Sequence, residues 1–171
     1  MNMTKSKQGT SRPDVSAYVL PPGKAKRRWM GKTHTDFLAT GESTGGKFCL
    51  VDEVGRKGDT VPLHKHNGDD ESFYVLEGEI SISLDGGEPV RAPKGSFSHI
   101  PAGSVHGFRV ESESARYLIL TTAQHGAFYL AITDPSNADG SSPQTSVDGS
   151  RIGAACKEYG VEFLGPFPGS T

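Results

Sequence analysis

Two short segments restrict this chain more than anything in its overall composition. The first reads Gly58, five residues, His64, one residue, His66, four residues, Glu71, six residues, Gly78; the second reads Gly95, five residues, Pro101, Ala102, Gly103, two residues, His106. Side chains alternate across a strand, so His64 and His66 share one face and Lys65 turns away. Asn67-Gly68-Asp69-Asp70 is turn chemistry that reverses the chain and brings Glu71, at the head of the next strand, beside the histidines. Pro101-Ala102-Gly103 is a breaker that aims a further strand, led by His106, at the same point.

Three imidazoles and a carboxylate form a donor set for one divalent transition ion, Fe, Ni, Mn, Co, Cu or Zn, with geometry rather than affinity deciding among them. Structural zinc sites favour cysteine; here neither Cys49 nor Cys156 falls in the pattern. The expected metal ligands are therefore His64, His66, Glu71 and His106, at a site that does chemistry. No organic cofactor is expected. His99 is expected in a surface or packed role, and His34 and His125 more firmly so.

Around this nucleus the pattern is all-β. Strand-like pieces fall at 35–38, 47–53, 60–66, 72–76, 80–84, 89–92, 96–100, 107–110 and 116–121, and short strands at this spacing mark a sandwich or barrel. Ile80, Ile82 and Leu84 alternate with Ser81, Ser83 and Asp85, so that strand is expected to bury one face, as antiparallel sheets do. From 123 to 133 the period becomes helical. Residues 135–150 read as a mobile loop or lid, and 151–159 as a C-terminal helix stopped by Gly160. The first 14 residues are polar and expected to be disordered, leaving 15–171 as one domain with its metal-binding core at 58–110.

The two segments match both signature motifs of the cupin superfamily, and the chain is identified as resembling that family. Val110 stands where the second motif usually ends in Asn. The fold this implies is an antiparallel double-stranded β-helix, or jelly roll, with short C-terminal helices. The stretch Arg116–Tyr129 and the tail Glu158–Pro166 are similar to the barrel exit and C-terminal helix of quercetinase-like single-domain cupins, although Asp70 replaces the aromatic that often precedes their glutamate. That resemblance implies a metal-dependent dioxygenase that opens a flavonol ring with dioxygen and releases carbon monoxide. Glu71 would take the proton of the substrate hydroxyl. A non-oxidative reaction at the same ligands, by an isomerase, cyclase or decarboxylase of aromatic natural-product metabolism, is the alternative.

Counting by twos places Phe73 and Val75 on the face of Glu71, and Phe108 and Val110 on the face of His106. These four are the candidate substrate pocket, fit for a flat aromatic molecule. Phe48, Phe97 and Tyr117 are expected to fill the barrel. Partners are thus a small aromatic substrate and dioxygen. Net charge is −2 over 171 residues, and the one basic cluster, Lys24–Arg28, reads as a solvated lead-in to the first strand, so no nucleic acid is expected. No apolar run approaches membrane-spanning length and no signal-peptide pattern opens the chain, so a cytoplasmic protein without membrane contact is expected. A homodimer is expected through exposed edges near 35–38 and 47–53.

Overall fold

The structure, a computed structural model, describes residues 15–143 and 146–169; the expectation for residues 1–14 lies outside them. The chain runs β1 (Lys26–Met30), β2 (Thr33–Ala39), β3 (Cys49–Arg56), β4 (Thr60–His66), β5 (Glu71–Glu77), β6 (Glu79–Leu84), β7 (Val90–Pro93), β8 (Phe97–Ile100), β9 (His106–Val110), β10 (Ser114–Thr121), α1 (Ala123–Ile132), β11 (Asp134–Pro135), α2 (Gly149–Tyr159) and β12 (Val161–Gly165). Two antiparallel sheets face each other, one in the order β11-β1-β2-β3-β10-β5-β8 and one in the order β12-β4-β9-β6-β7. This is the double-stranded β-helix with two short helices.

The core lies between the sheets, where Phe37, Val51, Phe73, Val75, Ile80, Phe108, Val110, Tyr117 and Ile119 are buried and packed together. The motif glycines set its turns. Gly78 adopts φ +71° between β5 and β6, and a Cβ there would lie 2.3 Å from the Ser114 carbonyl oxygen. A side chain is excluded on both counts. Helix α2 ends on Gly160 in the left-handed conformation, whose N–H bonds the Cys156 carbonyl. It starts at Gly149, two residues before the expected 151.

Several expectations change. Lys26–Arg28 are not a lead-in but belong to β1, which pairs with β2 and β11. Arg28 reaches across to the Thr133 hydroxyl at 2.8 Å and the Leu130 carbonyl at 3.1 Å, capping the end of α1. Strand β6 is covered on both sides. Ile80 and Ile82 are buried as expected, but Ser81 and Ser83 are buried as well and Leu84 is exposed, so burial is not confined to one face. Ser83 turns its hydroxyl to the Gly87 carbonyl at 2.7 Å, which satisfies it without solvent. Phe48 and Phe97 are exposed rather than filling the interior, whereas Tyr117 is buried. The early strands β2 and β3 each have neighbours on both sides, so they offer no free edge for a homodimer; sheet ends fall at β11, β8, β12 and β7. Among the described residues no helix is long and apolar enough to cross a membrane.

Candidate metal centre and cavity

His64 and His66 occupy the last turn-facing positions of β4, Glu71 opens β5, and His106 opens β9. All four are buried, and one candidate ligand atom from each lies within 4.8 Å of the others. The turn between the histidines and Glu71 is pinned. Ala102 N–H donates to Asp70 Oδ1 at 2.8 Å, the Gly103 N–H to the His66 carbonyl at 2.7 Å, and the Thr121 hydroxyl to the Asp70 carbonyl at 2.7 Å.

Each ring is oriented from behind. His64 Nδ1 lies 2.8 Å from the Pro62 carbonyl and His106 Nδ1 lies 3.1 Å from the Ser104 carbonyl. A carbonyl accepts only, so both Nδ1 atoms carry protons. The neutral His64 presents its Nε2 lone pair to the cluster, whereas His106, which also donates from Nε2 to Glu71, must give up that proton to act as a ligand. Burial pushes His64 down to about 4, with the charge of His106 adding to it, and burial pushes His66 down to about 3. Both are therefore neutral, as ligands must be. His66 supplies the test of fit, because neither of its ring nitrogens has a hydrogen-bond partner although both are buried. An orphaned buried polar atom costs about 1–3 kcal/mol, and a cation bound between these four side chains removes that cost for the one ring nitrogen it takes. The residues fit a divalent transition ion.

Glu71 is the hub. Its Oε2 lies 3.0 Å from His106 Nε2, while Oε1 accepts from the Tyr129 hydroxyl at 3.3 Å and lies 3.5 Å from His125 Nε2. Burial alone would raise its pKa, but the hydrogen bonds from His106 and His125 outweigh it and hold the carboxyl well below the usual range. Burial likewise disfavours a charged His106, yet the hydrogen bond and charge of Glu71 leave its pKa raised.

The cluster opens into a cavity of about 300 Å³ bordered by His64, Glu71, Val61, Phe108, Phe128 and Tyr129, among others. Of the four expected pocket residues, Phe108 borders this space, whereas Phe73, Val75 and Val110 are not among its lining residues. Those three are packed in the buried core. Phe108 belongs to the same buried core, so it borders the cavity from the edge of that packing.

Three groups on the cavity lie outside the expected ligand set. His125, expected in a surface or packed role, is buried with its ring 3.9 Å from that of His66 and its Nδ1 without a partner. Tyr129 reaches the site from the same helix. Glu53, on β3, accepts from the Tyr117 hydroxyl at 2.8 Å and the Thr35 hydroxyl at 2.7 Å, and burial pushes its carboxyl up to about 7. The available signal for His125 was Thr122, a helix N-cap whose hydroxyl accepts from the His125 N–H and which thereby starts a helix directly after β10. His34, by contrast, packs against Trp29, and His99 meets the Ser72 hydroxyl on an exposed surface, as expected.

Two facing antiparallel sheets with a three-histidine, one-glutamate cluster between them define a class. Residues 53–121 match the family model described as Cupin domain, and the chain belongs to the cupin superfamily. Within it, the chain resembles the quercetinase-like proteins. It is 33% identical over 150 residues to the quercetin 2,3-dioxygenase of Bacillus subtilis (strain 168), a match covering 86% of this chain and 44% of that one. The chain thus spans less than half the length of this curated relative. Solved structures agree on the fold. KdgF from Halomonas sp. superposes with a TM-score of 0.56 at 16% identity, covering 63% of this chain and 94% of its own. A Thermotoga maritima protein described as a predicted oxalate decarboxylase gives 0.56 at 20% identity, covering 61% and 98%.

Proposed function

We propose that this protein is a metal-dependent dioxygenase of the quercetinase type, acting on a flavonol-like or other polyphenolic or enolic aromatic substrate. The observation that carries the reading is the buried His64, His66, Glu71 and His106 cluster, of which His64 and Glu71 line an apolar cavity of about 300 Å³. The likeness to a quercetin dioxygenase supports it. The four side chains would hold one divalent ion, which when bound supplies Lewis acidity that makes a neighbouring hydroxyl easier to deprotonate. Glu71 takes that proton. Its carboxylate is ionised, and its Oε1 faces Tyr129 and His125 of α1, while Oε2 faces His106. Phe108 and Val61 flank the substrate ring, and Phe128 and Ile132 of α1 keep bulk water from it. General-base help of this kind contributes about 10²–10⁴-fold. Val147 of segment 135–150 borders the cavity together with Ile152 of α2, which supports the reading of that segment as a lid that opens to admit substrate.

The test combines metal analysis with an oxygen electrode. Purified protein should carry about one transition ion per chain, lost in His64→Ala, His66→Ala and His106→Ala. Glu71→Gln should keep part of the metal and lose turnover, since an amide cannot take the proton. Flavonols should be consumed with matching oxygen uptake and carbon monoxide release. Substrate loss without oxygen uptake supports the non-oxidative alternative, an isomerase, cyclase or decarboxylase. Protein that neither contains nor takes up metal overturns both.

A further inference from the structure

The inner face of the larger sheet carries two carboxylates. Glu71 belongs to the metal cluster; Glu53 does not, yet it borders the same cavity. The register places them well apart. Glu53 pairs with Tyr117, Tyr117 pairs with Val75, and Val75 lies four residues along β5 from Glu71. Two strand spacings of about 4.8 Å and four residues at about 3.3 Å give a backbone separation on the order of 15 Å. Both carboxylates line one cavity, Glu71 from within the metal cluster and Glu53 from a different position along the sheet, with Val61 and Phe108 among the other residues that line it.

Glu53 is built to stay in place. It is 5% exposed, and each oxygen is held by a neutral hydroxyl, Oε1 by Tyr117 and Oε2 by Thr35. Each carboxylate oxygen has two acceptor sites, so one per oxygen remains. Burying a carboxylate on hydroxyls alone is costly compared with an apolar side chain of similar size. A purely structural staple between β2, β3 and β10 would not need an ionisable group.

We infer that Glu53 anchors a hydroxyl on the end of the ligand remote from the metal cluster, so that the cavity selects polycyclic phenols bearing a hydrogen-bond donor on an outer ring. The inference rests on the quercetinase reading and adds a specificity element to it. The ligand lies with its metal-facing oxygens at Glu71 and its outer-ring hydroxyl donating to the free acceptor site of Glu53. Loss of a hydrogen bond to a charged acceptor costs about tenfold or more in affinity.

The discriminating pair of probes is quercetin, with hydroxyls on both outer rings, and 3-hydroxyflavone, which keeps only the metal-facing oxygens. Binding to metal-loaded protein is measured by calorimetry without oxygen at pH 8, where turnover cannot consume the ligand and Glu53 is ionised. Wild type should prefer quercetin, and Glu53→Gln should reduce that preference by about tenfold while leaving 3-hydroxyflavone affinity at the wild-type value. The combined variant Thr35→Val, Glu53→Leu, Tyr117→Phe removes all three partners together and leaves no buried group unpaired. It should show the same loss, with circular dichroism confirming its fold; if it does not fold, the Glu53→Gln result decides. An unchanged preference in the folded variants overturns the anchor and leaves the quercetinase reading standing. Failure of wild type to bind either flavonol overturns that reading and the anchor with it.

Discussion

Helix α1 lies unusually close to the sheet, and Gly126→Ala should show how much the site depends on that. A Cβ at Gly126 would stand 2.4 Å from Cys49 Cβ and 2.6 Å from its Sγ. Carbon atoms settle at about 3.5–4.0 Å, so the helix must retreat by about 1 Å. Cys49 Cβ is fixed to a central strand and cannot swing aside. Alanine gains about 1 kcal/mol over glycine in a helix, whereas overpacking a well-filled interior costs about 1–3 kcal/mol. A retreat of this size falls at the upper end, so a net loss of about 1–2 kcal/mol is expected, equivalent to a fall in Tm of roughly 2–8 °C for a chain this long. Tyr129, 3.3 Å from Glu71 Oε1, would move out of hydrogen-bond range, so turnover should fall more than metal content does. Urea unfolding with a double-mutant cycle is the assay. Cys49→Ala keeps the offending Cβ and should give little relief, while Cys49→Gly should couple to Gly126→Ala by about 1 kcal/mol or more. A Gly126→Ala protein more stable than wild type, with no coupling to Cys49→Gly, would mean helix propensity governs this position and the close approach does not.

Stability should also carry the signature of Glu53. Its carboxyl is raised from 4.5 to about 7 by burial, so the native state keeps a proton that the unfolded chain releases. The contribution is complete below pH 4.5 and is lost as pH rises through 7, about 3 kcal/mol in all. The difference between wild type and Glu53→Gln in urea unfolding should therefore widen in favour of the variant from pH 4.5 to 8, and a constant offset would refute this. Val147→Ser removes an apolar group from the cavity border. It should raise KM with metal content unchanged, measured by steady-state kinetics beside metal analysis. Thr122→Ala deletes the cap that accepts from the His125 N–H and the contact to Asp69. A loss of about 1 kcal/mol is expected in thermal unfolding.

What could be read in advance depended on how local the cause is. His64, His66, Glu71 and His106 were legible because strand alternation and two tight turns fix their directions within a few residues of each. The helix stop at Gly160 was legible for the same reason. The pocket was not, because whether Phe73 or Phe108 borders space depends on what the opposite sheet places against it. Only Phe108 borders the cavity, and the interior around Phe73, Val75 and Val110 is filled. Strand β6 shows the limit of alternation. Its serines are buried because a turn carbonyl satisfies one of them, a partner no period reveals.

The missed polar groups make the same point in three dimensions. Glu53 sits 18 residues before Glu71, and His125 sits 54 residues after it, so nothing in the spacing links them. What links them is pairing. Strand β10 lies between β3 and β5, which sets Glu53 beside Tyr117 at one end and Glu71 beside Thr121 at the other. The residue after Thr121 caps α1, so the strand that joins the two carboxylates also delivers His125 and Tyr129 onto Glu71. One strand thereby fixes where both carboxylates meet the cavity and the helix that closes it over the cluster. Changes along β10 should consequently alter ligand preference through Tyr117 and handling of the proton through α1, and Tyr117→Phe with Thr122→Ala should separate the two by affecting affinity ratio and turnover respectively.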